Sequence, residues 1–145
     1  MQFRTLFCAV SGALITLAGA SVAHATFHLM QIEQVIGGVN GDPSAQAIQL
    51  RMRAAGENLV SSARLIVVDA AGLNPIVIMD MTSDVANSSA GYRVLIASSN
   101  FASHTSPAVI PDFIMPQTIP TNYLAAGRLL YETDTGTIYW SVSWG

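Results

Sequence analysis

The chain has 145 residues and a formal net charge of −3, and all six of its basic residues are arginines. This length suits a single domain that buries its own core. The arginines are scattered rather than clustered, which excludes a phosphate-binding nucleic-acid surface, and a single cysteine excludes a disulfide framework.

Residues 1–25 have the three parts of a secretory signal peptide. Arg4 supplies a positive start, residues 6–20 form an almost unbroken apolar run, and Ala23-His24-Ala25 places small residues before a cut at Thr26. Polar sequence follows too soon after the apolar run for a membrane span. We therefore expect a protein that is secreted or held at the cell surface.

Cleavage before Thr26 leaves one domain, residues 26–145, and defines its N-terminal chemistry. The new terminus, Thr26-Phe27-His28, combines a free amine, two amides and an imidazole, a set that Cu(II) or Ni(II) accepts in square-planar geometry. The alternative is that His28 simply begins a strand and binds no metal. A cut before His24 is also compatible with the small residues around it and would place a histidine at the terminus.

Five short apolar runs between turn-rich connections predict strands. They lie at residues 27–36, 46–53, 63–68, 75–79 and 92–97. Strands at this spacing, without a sustained helical pattern, predict an all-β fold of the sandwich or barrel type. Alternation within the runs predicts a core that contains Ile48, Leu50, Leu65, Val67, Val94 and Ile96.

Acidic turns between these strands offer hard oxygen ligands. Asp80 with Asp84, or Asn40 with Asp42, could supply such ligands to Ca²⁺. Neither pair has the dense, regular spacing of a calcium loop. The spacing therefore favours solvated turns and a protein without a cofactor, with calcium and copper as the open alternatives.

Residues 98–121 interrupt the strand pattern. They include four prolines, too many for a helix or a central strand, yet they are too apolar for a solvated linker. We predict a packed loop that covers one open end or edge of the fold and that takes part in binding, with His104 and Phe113 as binding residues. The alternative is a purely structural crossover between two sheets.

Two further runs, residues 127–132 and 137–144, flank an Asp-Thr-Gly turn and predict a hairpin. Alternation assigns Tyr139 to an exposed face that is available for binding, together with two serines. The sequence stops at the end of an aromatic strand without a polar tail, which leaves truncation at the C-terminus open. The opposite face, assigned to the core, carries Ile138, Trp140, Val142 and Trp144.

Three strings carry a resemblance to a known family: QAIQLRM at residues 46–52, NLVSSARLIVV at 58–68 and YRVLIASSNFA at 92–102. Together they resemble the strand order of lamin-tail-like domains of secreted bacterial proteins. The resemblance implies an immunoglobulin-like antiparallel β-sandwich that follows the signal peptide. It also implies a recognition module, with no catalytic residues to carry over.

The sequence favours binding or assembly over catalysis. It has no His-Glu-x-x-His motif, phosphate loop or nucleophile elbow. The expected partner is a protein or another component of the cell surface or extracellular matrix, and self-association is a second option. The alternative is a secreted metal-dependent or hydrolytic enzyme whose site lies near His104 or in sequence beyond Gly145.

Overall fold

The computed structural model describes residues 30–145. The predicted signal peptide, its cleavage before Thr26 and the copper site at His28 lie outside the described residues. Within residues 30–145, no helix is long and apolar enough to cross a membrane.

The regular secondary structure of the described residues is almost entirely β, as predicted. The only helical elements within residues 30–145 are two short 3-10 helices, Phe101–His104 and Thr121–Tyr123. Each predicted strand is present, and one short strand, β6, was not predicted. In chain order, the strands are β1 Gln31–Ile36, β2 Ala47–Arg51, β3 Ala63–Asp69, β4 Ile76–Met81, β5 Arg93–Ala97, β6 Phe113–Ile114, β7 Gly127–Thr133 and β8 Ile138–Trp144.

The strands form two four-stranded sheets. The first sheet has the order β1-β2-β5-β6, and the second has the order β4-β3-β7-β8. All neighbouring strands are antiparallel except β5 and β6, which are parallel. Residues of both sheets belong to one hydrophobic core, so the architecture is a β-sandwich-like all-β fold.

The core prediction is confirmed. In β2, the inward residues Ile48 and Leu50 are 1% and 0% exposed, and Gln49 between them points to the other face. This period-two pattern is what a strand with one buried face requires. All six predicted core residues belong to the buried core: Ile48, Leu50, Leu65, Val67, Val94 and Ile96.

The predicted faces of β8 are wrong at two positions. Ile138 is 53% exposed, and Tyr139 packs against the core. The cause is a register shift against β7, where Trp140 pairs with Tyr131 but Ile138 pairs with Glu132. The extra residue in β8 reverses the alternation at that point, whereas the later residues Trp140, Val142 and Trp144 pack against the core as predicted.

Candidate functional site

Residues 98–121, called here the crossover segment, connect the first sheet to the second. Within it, β6 pairs with the edge of β5, so that Phe113 lies beside Ile96 and Ile114 beside Ala97. The segment therefore covers a sheet edge, as the binding hypothesis expected. It is also the crossover between sheets that the structural alternative expected.

The first half of the segment packs on the outer face of the first sheet. Phe101, in the first 3-10 helix, is 8% exposed and forms a small apolar cluster with Ala47 and Ala97. Leu95 and Val109 pack against this cluster. These contacts fix the segment against two strands of the sheet.

The second half of the segment enters the main core. Met115 and Ile119 are 4% and 1% exposed. The amide of Gln46, itself fully buried, accepts a hydrogen bond from the Ile119 N–H at 2.7 Å and donates to the Ile119 carbonyl at 2.9 Å. It also donates to the Pro43 carbonyl at 2.7 Å, so one side chain satisfies three buried or half-buried backbone groups.

A polar cluster around Asp42, called here the Asp42 cluster, attaches the segment to the turn before β2. Ser44 donates two hydrogen bonds to the Asp42 carboxylate, from its N–H at 2.8 Å and its hydroxyl at 2.6 Å. Asn100 donates to the same carboxylate at 3.0 Å, and His104 Nε2 lies 3.1 Å from it. The Ser44 bonds, more than His104, lower the pKa of Asp42 from its ordinary value.

Side-chain hydrogen bonds also hold the middle of the segment. The carboxylate of Asp112 accepts from the Leu95 N–H at 2.8 Å, and the Asp112 N–H donates to the Leu95 carbonyl at 2.8 Å. The Thr105 hydroxyl accepts from the Val109 N–H at 3.0 Å. The chain is thus fixed on both sides of Ile110.

Two large apolar side chains of the segment are exposed, contrary to the prediction that its apolar residues are packed. Ile110 is 92% exposed and Ile114 is 54% exposed. Ile110 lies between the anchored residues Val109 and Asp112, and Ile114 is the outward position of a two-residue edge strand. The sequence contains no signal that separates these isoleucines from the buried Ile119.

The three residues predicted to bind do not form one surface. His104 contacts Asp42 beside the first sheet, and Phe113 packs against the core from the edge strand β6. Tyr139 lies in the second sheet, with its ring centroid 5.6 Å from that of the buried Tyr131. All three are half-buried, and the large apolar side chains that the segment exposes are Ile110 and Ile114 instead.

An apolar groove lies between the outer strands of the two sheets, β1 and β8, and has a volume of about 410 Å³. Its one acidic residue, Glu33, is bound by Arg93 at 2.6 Å, and this bond lowers the pKa of Glu33 from its ordinary value. The sequence could not predict the groove, because its walls come from opposite ends of the described chain. Its apolar lining is Ile32, Val35, Ile119, Leu124, Val142 and Trp144.

Two of the candidate calcium ligands accept hydrogen bonds from the protein itself. The Asp42 carboxylate accepts from Ser44 and Asn100, and Asp84 accepts from the Ser61 N–H at 2.9 Å. Among residues 30–145, no group of three or more histidine, cysteine or acidic side chains is arranged to hold a metal ion.

Comparison of the sequence with models of known protein families finds no match. Comparison with curated proteins also finds none. The resemblance to lamin-tail-like domains thus remains a prediction from the three strand-like strings.

Proposed function

We propose that this protein is an exported binding module with an immunoglobulin-like sandwich, which acts at the cell surface or in the extracellular matrix without catalysis. It contacts a protein partner through the exposed isoleucines of the crossover segment. The observation that carries this proposal is the 92% exposure of Ile110 in a segment that is otherwise anchored on both sides.

Anchoring matters because binding usually costs conformational entropy in the loop that is ordered. Here Val109 and Asp112 already hold the backbone next to Ile110 through hydrogen bonds to Thr105 and Leu95. A partner that covers Ile110 gains about 1.5 to 3 kcal/mol from burial of this side chain. Loops that a rigid sandwich holds in place are common recognition surfaces.

The geometry near His104 supports binding more than the hydrolytic alternative. A serine nucleophile requires its hydroxyl to be hydrogen-bonded to the imidazole that removes its proton. The Ser44 hydroxyl instead donates to the Asp42 carboxylate at 2.6 Å. The Asp42 cluster therefore stabilises the start of the crossover segment.

The test is the substitution Ile110→Ser, with Leu73→Ser as the matched control. Leu73 is also an exposed apolar residue, at 62%, but it lies in the turn between β3 and β4. Binding of the labelled proteins to cell-surface and matrix fractions of the producing organism is measured by titration. We expect Ile110→Ser to weaken binding about tenfold or more, the equivalent of the burial energy of one isoleucine, and Leu73→Ser to leave it unchanged.

Point substitution is preferable to deletion of the loop, because residues 106–117 include the buried Met115 and the edge strand β6. Equal binding by Ile110→Ser and the unsubstituted protein would refute the proposed surface. Turnover of an ester, peptide or glycoside substrate that His104→Ala abolishes would establish the enzymatic alternative instead.

A further inference from the structure

Over residues 140–144, the outer edge of β8 differs from the other sheet edges of residues 30–145 in having no feature that blocks strand pairing. β8 is the last strand of the second sheet and pairs on one side only, with β7. Its sequence, IYWSVSW, contains no charged residue, proline or glycine. An edge strand of this kind presents backbone groups, on the side away from β7, that can bind another strand.

The other three edges carry such blocking features. Strand β1 has a register shift at Glu33, where an extra charged residue interrupts its pairing with β2. Strand β4 has a register shift at Ile78 and carries Asp80. Strand β6 has two residues and lies between Pro111 and Pro116. Bulges, charges, prolines and short length are the means by which proteins prevent edge-to-edge association.

The free edge of β8 is also regular. Residues 140–144 pair with β7 one for one, and the single register shift lies before them, at Tyr139. We propose that this edge pairs antiparallel with β8 of a second copy of the chain, with Val142 on the two-fold axis. Trp140 then lies opposite Trp144 of the second copy, and Ser141 lies opposite its Ser143.

The strand is self-complementary in this register. The uncharged sequence creates no repulsion between the two copies, and the aromatic pair lies on the face of the sheet that packs against the core. The serine pair lies on the outer face, where both side chains are exposed and small. A symmetric interface requires each position to accept its counterpart in this way, and aromatic cross-strand pairs stabilise such sheets.

This inference goes beyond the proposed function, since the β8 edge belongs to the other sheet and its partner is the chain itself. Sedimentation velocity of the purified chain, over about a hundredfold range of concentration, should show a concentration-dependent dimer. The proposed function could fail without affecting this result, because no other partner is present in the measurement.

Two double variants test the register. In S141E/S143E, each new carboxylate faces a carboxylate of the second copy, and we expect dimerisation to weaken at least about tenfold. In S141K/S143E, each new lysine faces a glutamate, and we expect the dimer to persist. Both variants keep an acceptor at position 143 for Arg128, which donates to the Ser143 hydroxyl at 3.2 Å.

Val77→Glu is the control, because it adds a charge at an exposed position on the opposite edge of the same sheet. It should leave dimerisation unchanged, and circular dichroism checks that each variant is folded. If the chain stays monomeric at every concentration, the inference is overturned, and the β8 edge is then available only to a strand of another sequence. Equal dimerisation by the two double variants, or loss of the dimer in both, overturns the proposed register.

Discussion

Gln46 offers the sharpest test of how the crossover segment is held. The substitution Gln46→Met keeps the length of the side chain but removes its hydrogen bonds to Pro43 and to both backbone groups of Ile119. A net hydrogen bond is worth about 1 kcal/mol, and a buried group left without a partner costs about 1 to 3 kcal/mol. We expect the free energy of unfolding to fall by about 3 kcal/mol.

The free energy of unfolding is measured by urea denaturation, followed by tryptophan fluorescence and circular dichroism. Gln49→Met is the matched control, because Gln49 lies nearby in β2 but makes its hydrogen bond to Glu33 on the outer face. This control should change stability by less than about 1 kcal/mol. A loss below about 0.5 kcal/mol in Gln46→Met, with an unchanged denaturant slope, would show that the Gln46 bonds do not hold the segment.

Three further outcomes are expected. Leu50→Ala should destabilise the protein by about 2 to 5 kcal/mol, since Leu50 is 0% exposed in the core; a loss typical of surface positions would contradict its placement. Arg93 lowers the pKa of Glu33, and Ser44 lowers the pKa of Asp42. The stability that these two carboxylates contribute is therefore complete above about pH 5 and is lost as pH falls through their lowered pKa values. Melting temperatures that stay constant from neutral to strongly acidic pH would refute this dependence. N-terminal sequencing of secreted protein should find Thr26 first, and a retained Met1 would exclude the predicted cleavage.

The sequence predicts the strands and core well where pairing is regular. In β2, for example, Ile48 and Leu50 alternate with polar residues because one face of the strand is buried. The prediction fails at Ile138, because a one-residue register shift against β7 reverses the face and leaves no trace in the local pattern. It therefore also misassigns Tyr139.

The candidate site was predicted only in outline. The proline-rich composition of residues 98–121 identifies the segment, but not which of its isoleucines is exposed. Gln46 and Ile119 are 73 positions apart in the chain, so their hydrogen bonds depend on tertiary packing that local pattern does not encode. The same holds for the groove between β1 and β8, whose walls meet only in the folded sandwich.

The order of strands in the second sheet affects how the chain folds. Strand β3 pairs with β4, which follows it directly in the chain, and with β7, which lies much later in the chain. The Arg64–Glu132 ion pair between β3 and β7 joins residues 68 positions apart. Closing so long a loop is slow, since its entropic cost precedes any gain from contacts. We expect a slow folding chain whose half-formed sheet leaves the apolar strand β3 open, so recovery in refolding should decline steeply as protein concentration rises.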